Sequence, residues 1–131
     1  MQLSFRTLSL FCAALCLLLS LVWGLTPQWL LSFWDIEFSF AVGLVARRTA
    51  VLFGALSVFS FLVRNAPPCA TRNALSLGFV VGCWGLAVVG FAEWLNGHVG
   101  PGILLAVGFE LAVGLAFFQT RRVSVELETA G

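Results

Sequence analysis

The chain has 131 residues, 60% of them hydrophobic and only 10% charged, with a mean hydropathy of +1.03. Average usage is about a quarter charged, and no soluble domain of this length hides so much apolar surface, so the bilayer is the expected solvent. Seven basic and six acidic residues leave a net charge of +1. That balance excludes a basic nucleic-acid surface and a strongly charged tail.

An apolar stretch of about 20 residues spans the hydrocarbon core as a helix. Four stretches qualify, at about 3–25, 42–63, 74–95 and 102–119. The expected fold is therefore all-α: a four-helix transmembrane bundle in one domain covering 1–131. The connections are too short for a soluble domain.

The first span opens with Arg6 and has an apolar core from Leu8 to Val22. That pattern also suits a signal peptide, but no A-x-A-like cleavage site follows. Bulky Leu15 before Cys16 argues against a lipoprotein site as well. The segment is read as a retained spanning helix. Cys12 and Cys16 lie four apart on one face of it, Cys83 is in the third span, and Cys69 sits in a loop beside Pro67 and Pro68. There is no C-x-x-C, and no cysteine falls in an outward loop where oxidation would act. These cysteines are expected to pack as small apolar side chains.

The first connection is more than a turn. Gln28, Ser32, Asp35 and Ser39 repeat at helical spacing, and Trp29, Phe33, Ile36 and Phe40 repeat on another face. This predicts a short amphipathic helix in the interface between the first and second spans. It would seal the bundle or cover a lateral opening.

The second span carries Arg47 and Arg48, which are costly at membrane depth. Arg47 shares a face with Ala50, Gly54 and Ser57, whereas Arg48 points toward Leu52, Ala55 and Phe59. Two readings stand for them. They snorkel to the interface or pair with Glu93, Glu37 or Asp35, or they join Glu110 in a polar pathway or ligand pocket. The third span contains Gly78-Phe-Val-Val-Gly82 with Gly85 on the same face, a G-x-x-x-G that predicts close helix packing, within the chain or between copies. Glu110 lies mid-way along the fourth span between Ala106 and Gly114, so it is expected to face the bundle interior. Arg47 is expected to be the arginine turned toward it.

Arginine placement sets the orientation. All basic residues are Arg, a bias that points to a GC-rich, bacterial source. Arg6, Arg64, Arg72, Arg121 and Arg122 belong to the N-terminus, the middle loop and the C-terminal tail. Both termini are therefore expected in the cytoplasm of an inner-membrane, multi-pass protein. Trp23, Trp29, Trp34 and Trp94 fall at the opposite ends of their segments, as an outer aromatic belt does.

Catalytic and cofactor chemistry finds no support. His98 is the only histidine, which excludes bis-His haem and His-rich metal sites. No phosphate loop, nucleophile elbow or carboxylate cluster occurs. No metal, cofactor or nucleic-acid partner is expected, and the chain is not read as an enzyme. Its expected surroundings are the lipid bilayer and a membrane-protein partner or a second copy of itself.

The run "VARRTAVLFGALSVFSFLVRNAPP", the Arg-flanked loop "RNAPPCATRNALSLG" and the hairpin ending "FELAVGLAFF" carry a resemblance from Gly43 to Phe118. The chain resembles small bacterial four-helix integral membrane proteins, DoxX-like in outline. The resemblance implies the four-helix architecture and brings no reaction with it. Two functions are compatible with these residues: a non-enzymatic accessory or scaffold subunit of a membrane complex, or a small proton-coupled transporter working through Glu110. The small multidrug resistance exporters also have four helices and a buried carboxylate, but theirs is on the first helix, which here has none.

Overall fold

A computed structural model describes residues 4–130. Every regular element among them is helical: α1 (Phe5–Leu25), α2 (Pro27–Phe33), α3 (Phe40–Leu62), a single 3-10 turn (Val63–Asn65), α4 (Ala70–Leu95) and α5 (Ile103–Thr129). Helices α1, α3, α4 and α5 are long and apolar enough to cross a membrane. Hydrocarbon offers no partner for backbone N–H and C=O groups, so a spanning segment satisfies them internally as a helix. The protein is an all-α membrane bundle of four long helices with one short helix between the first two.

Caps and breakers set the boundaries. The Ser4 hydroxyl accepts from the Thr7 amide at 3.2 Å and starts α1; Leu3, the expected first residue of this span, and the Arg122 side chain lie outside the described residues. The Ser39 hydroxyl accepts from the Val42 amide at 3.2 Å and starts α3 two residues before the expected position. Helix α4 begins at Ala70 rather than Ala74, directly after Pro67–Pro68 and Cys69, because those prolines are the last residues that a helix interior rejects. Helix α5 runs ten residues past the expected end at Gln119, to Thr129. No Gly or Pro occurs between Leu115 and Thr129 to stop it.

The interfacial helix is shorter than its pattern suggested. Helix α2 stops at Phe33, and Asp35 follows in the left-handed region at φ 56°. The chain reverses there, so Ile36 and Phe40 never join Trp29 and Phe33 on one face. Ser39 and Phe40 instead open α3. The buried foot of α2 is Pro27 and Leu31, whereas Trp29 is 80% exposed.

The long helices form two antiparallel hairpins, α1 with α3 and α4 with α5. Small residues line the α1–α3 seam: Ala13, Ser20 and Gly24 on one side, Ala46, Ala50, Gly54 and Ser57 on the other. The Ser57 hydroxyl donates to the Ala13 carbonyl at 2.7 Å, and the Ser20 hydroxyl donates to the Ala50 carbonyl at 2.8 Å. Lipid tails are as apolar as leucine, so close packing and hydrogen bonds hold helices together here. In the second hairpin Gly90 lies beside Val107 and Ile103, and Trp84 packs over Gly114.

The hairpins join at both ends. At the tryptophan end the Gly100 amide donates to the Trp34 carbonyl at 2.8 Å. A β-carbon on Gly102 would strike the Phe33 carbonyl and one on Gly100 would strike Asp35, so glycine is required for this approach. At the arginine end, Phe5, Leu8 and Cys12 of α1 cluster with Val80 of α4 and with Val113 and Phe117 of α5. Phe117 stacks on Phe79 at 4.6 Å and meets the edge of Phe5 at 6.5 Å.

Two serines one turn apart give a test of this account. The Ser57 hydroxyl is bonded, whereas the Ser60 hydroxyl is fully buried with no partner. Ser57→Ala should cost about 0.6 kcal/mol, up to about 1.7, the range of interhelical bonds in membranes. Ser60→Ala should be neutral or stabilising, because it removes an unsatisfied donor. Thermal unfolding in detergent measures both.

Candidate functional site

The sequence nominated Arg47, Arg48, Glu93 and Glu110 as a polar set. The structure disperses them. Arg47 and Arg48 lie seven and eight residues into α3, about 10 to 12 Å below its start at 1.5 Å per residue. Both are exposed, and among the described residues neither has a hydrogen bond or ion pair. The buried positions of α3 are Gly43, Ala46, Ala50, Ser57 and Ser60. Ala46 therefore takes the place on the seam expected for Arg47, which is rotated one residue, about 100°, toward the edge.

Glu93 has a different partner from those expected. Its carboxylate meets His98 Nδ1 at 2.6 Å, with 46% and 66% of the two side chains exposed. This is the one ion pair recorded among the described residues. The turn at Gly97, with φ 72°, folds His98 back onto the last turn of α4. Such an exposed pair contributes little to stability.

Glu110 does face inward. Ile103, Val107, Glu110, Gly114 and Phe117 recur at spacings of four and three, which puts them on one face of α5. Val107, Gly114 and Phe117 contact α4, so Glu110 lies on that seam and is half-buried. It makes no hydrogen bond or ion pair among the described residues. Cys83 of α4 lies within electrostatic range of it, and Cys12 and Cys16 of α1 lie within range of Cys83.

This grouping of three thiols and a carboxylate escaped the sequence reading. The i, i+4 spacing of Cys12 and Cys16 fixed one face, but only the packing of α1 on α4 brings Cys83 to it. All four cysteines are free. Among the described residues no set of three or more His, Cys, Asp or Glu is placed to hold a metal ion. The grouping is a polar seam inside an apolar bundle, without the geometry of a metal centre.

The glycine face is the other departure. Ideal β-carbons on Gly78, Gly82 and Gly85 meet nothing within 4 Å. The expected close packing of these three within the chain is not formed. The buried positions of α4 are Ser76, Val80 and Ala87, on a different face. Helix α4 thus presents a smooth, small-residue strip outward, continuous with exposed Val81, Trp84 and Val88.

Compared with models of known families, with curated proteins and with solved structures, the chain matches none.

The dispersal of the charges fixes the outcome of a double-mutant cycle. Arg47→Leu and Glu110→Leu should change the unfolding free energy in detergent additively, within about 0.5 kcal/mol, as unconnected sites do. A coupling well above that would mean that the two charges meet.

Proposed function

We propose that this protein is a non-enzymatic accessory or scaffold subunit of a membrane complex, inserted in a bacterial inner membrane with both termini in the cytoplasm. The observation that carries the reading is the open glycine strip of Gly78, Gly82 and Gly85. Glycine in a helix costs about 1 kcal/mol relative to alanine, and three of them on one lipid-facing strip gain nothing from the rest of this chain. Small residues in membranes permit close helix approach, and a helix from another protein would use that strip. Arg47 and Arg48 add to the argument. Two exposed guanidinium groups at depth reach the interface by snorkelling or meet acceptors on a neighbour. The arginine bias supports the orientation, and the DoxX-like resemblance supports the architecture.

A second reading has one observation in its favour. Glu110 is a half-buried carboxylate without an ion-pair partner among the described residues, the kind of group that proton-coupled transporters use. It stands as the alternative.

In native membranes the wild-type chain should migrate as an assembly larger than its 14.1 kDa monomer on a non-denaturing gel. Gly82→Ile should release the monomer while leaving its melting temperature unchanged, because the new side chain enters open space. A wild-type chain that is monomeric in its own membrane would refute the accessory reading. Proton-coupled solute flux in proteoliposomes that Glu110→Gln abolishes would transfer the assignment to transport. For the orientation, His98→Cys should label from outside intact cells and Cys69 should not.

A further inference from the structure

The arginine end of the bundle holds a feature that neither reading uses. Arg72 stands in the first turn of α4, and its guanidinium lies over the Phe5 ring, 4.2 Å from the centroid. Its Nε is buried and has no hydrogen-bond partner. The side chain as a whole is half-buried, and among the described residues its Nη atoms have no hydrogen-bond partner. Arg121 of α5 donates from Nε to Asn73 Oδ1 at 2.6 Å, the residue next to Arg72. Arg121 is half-buried, and among the described residues its Nη atoms have no hydrogen-bond partner.

The two arginines stand at one end of the α4–α5 hairpin, Arg72 over a ring and Arg121 bonded to the residue next to it. Phe5 carries Arg72, and Phe117, one turn before Arg121 on α5, packs against Phe5 and stacks on Phe79. Each arginine is therefore held at its Nε side, Arg72 by an aromatic face and Arg121 by an amide oxygen, and each offers its outer edge. No carboxylate with a described side chain lies at this end. Asp35, Glu37 and Glu93 belong to the tryptophan end, and Glu110 lies in mid-span.

Depth selects the ligand. Arg72 is the third residue of its spanning helix, and Arg121 follows the apolar run of α5 that closes at Phe118 and is bonded to Asn73 at the same level. Both guanidinium groups stand where the hydrocarbon ends and headgroup phosphates begin. A planar guanidinium with a free edge matches a phosphate through two parallel hydrogen bonds. Basic pockets between helices on the cytoplasmic side bind acidic headgroups on the same physics.

We infer that Arg72, seated on Phe5, and Arg121, held by Asn73, form a binding site for the phosphate of an anionic phospholipid. The bound phosphate takes the outer edges of both guanidinium groups, and the acyl chains run down the groove between α4 and its neighbours. Arg6 and Arg64 contribute only general attraction. Arg6 is exposed, and Arg64 is turned back onto its own helix, donating to the Phe61 carbonyl at 2.5 Å and covering the Phe61 ring.

The test is native mass spectrometry of the full chain, released from detergent with phosphatidylglycerol or phosphatidylcholine at equal concentration. One phosphatidylglycerol should remain bound per chain under activation that strips phosphatidylcholine. Arg72→Gln and Arg121→Gln should each weaken retention about tenfold, the scale of one charge-assisted contact. Arg72→Lys keeps the charge and loses the planar fork, so it should also weaken binding, by a smaller factor. Arg6→Gln and Arg64→Gln should change it less than threefold, the scale of one exposed charge. Melting curves collected alongside ensure that only folded variants are compared. Equal retention of the two lipids, or equal losses for all four glutamine variants, would overturn the site. Displacement of the lipid by millimolar inorganic phosphate would overturn the assignment to a lipid and leave a free-phosphate site.

Discussion

Apolar side chains gain nothing by leaving lipid for a neighbouring helix, and that constraint governs the whole molecule. Helices here associate where backbones come close, where a polar atom finds a partner, or where rings interdigitate as in the layer at the arginine end. The α1–α3 seam does both. Ala13, Ser20 and Gly24 face Ala46, Ala50, Gly54 and Ser57, and two serine hydroxyls cross the seam to carbonyls of the opposite helix. The exposed leucines, valines and phenylalanines on the outside of the same helices do no such work, because lipid serves them equally well.

The two hairpins have few shared contacts along their length, so their ends fix their relation. At the tryptophan end the α2 reversal lays the Trp34 carbonyl on the Gly100 amide, and glycine at 100 and 102 admits the approach. At the arginine end a layer of phenylalanines closes the gap, with Arg72 resting on it. The polar groups follow the same division. Ser20 and Ser57 find partners across a seam, Glu93 takes His98 at the interface, and Arg121 takes Asn73. Arg47, Arg48 and Glu110 have no such recourse among the described residues. They are the residues whose placement internal stability does not explain.

Much of the architecture was legible in the residues. Four apolar runs of spanning length, Ser4 and Ser39 before two of them, and Pro67–Pro68 before a third are local signals with local causes. Local signals also misled. The alternation through Phe40 predicted a longer interfacial helix, because periodicity carries no record of the left-handed turn at Asp35. Gly78, Gly82 and Gly85 promised packing, because a motif says that close approach is permitted but not which partner takes it. The spacing of Arg47 to Ala50 and Gly54 predicts a place on the seam. A rotation of one residue puts Ala46 there instead, and a burial preference that small is invisible in a helix apolar on every side.

The sequence by itself determined that the chain is helical, membrane-embedded and four-spanning, because hydrocarbon leaves a backbone no other way to satisfy its hydrogen bonds. It also determined the segregation of arginine and tryptophan to opposite ends, which is a matter of order along the chain. The tertiary structure alone decided which helix faces meet. It paired α1 with α3 through serines and α4 with α5 through Val107, Gly114 and Phe117. It brought Cys12, Cys16 and Cys83 toward Glu110, and it set Arg72 on Phe5 beside Arg121. The reason is geometric. Rotation of a helix about its axis costs almost nothing in lipid until a neighbour makes contact, so the facing residues are fixed only when all four helices are in place.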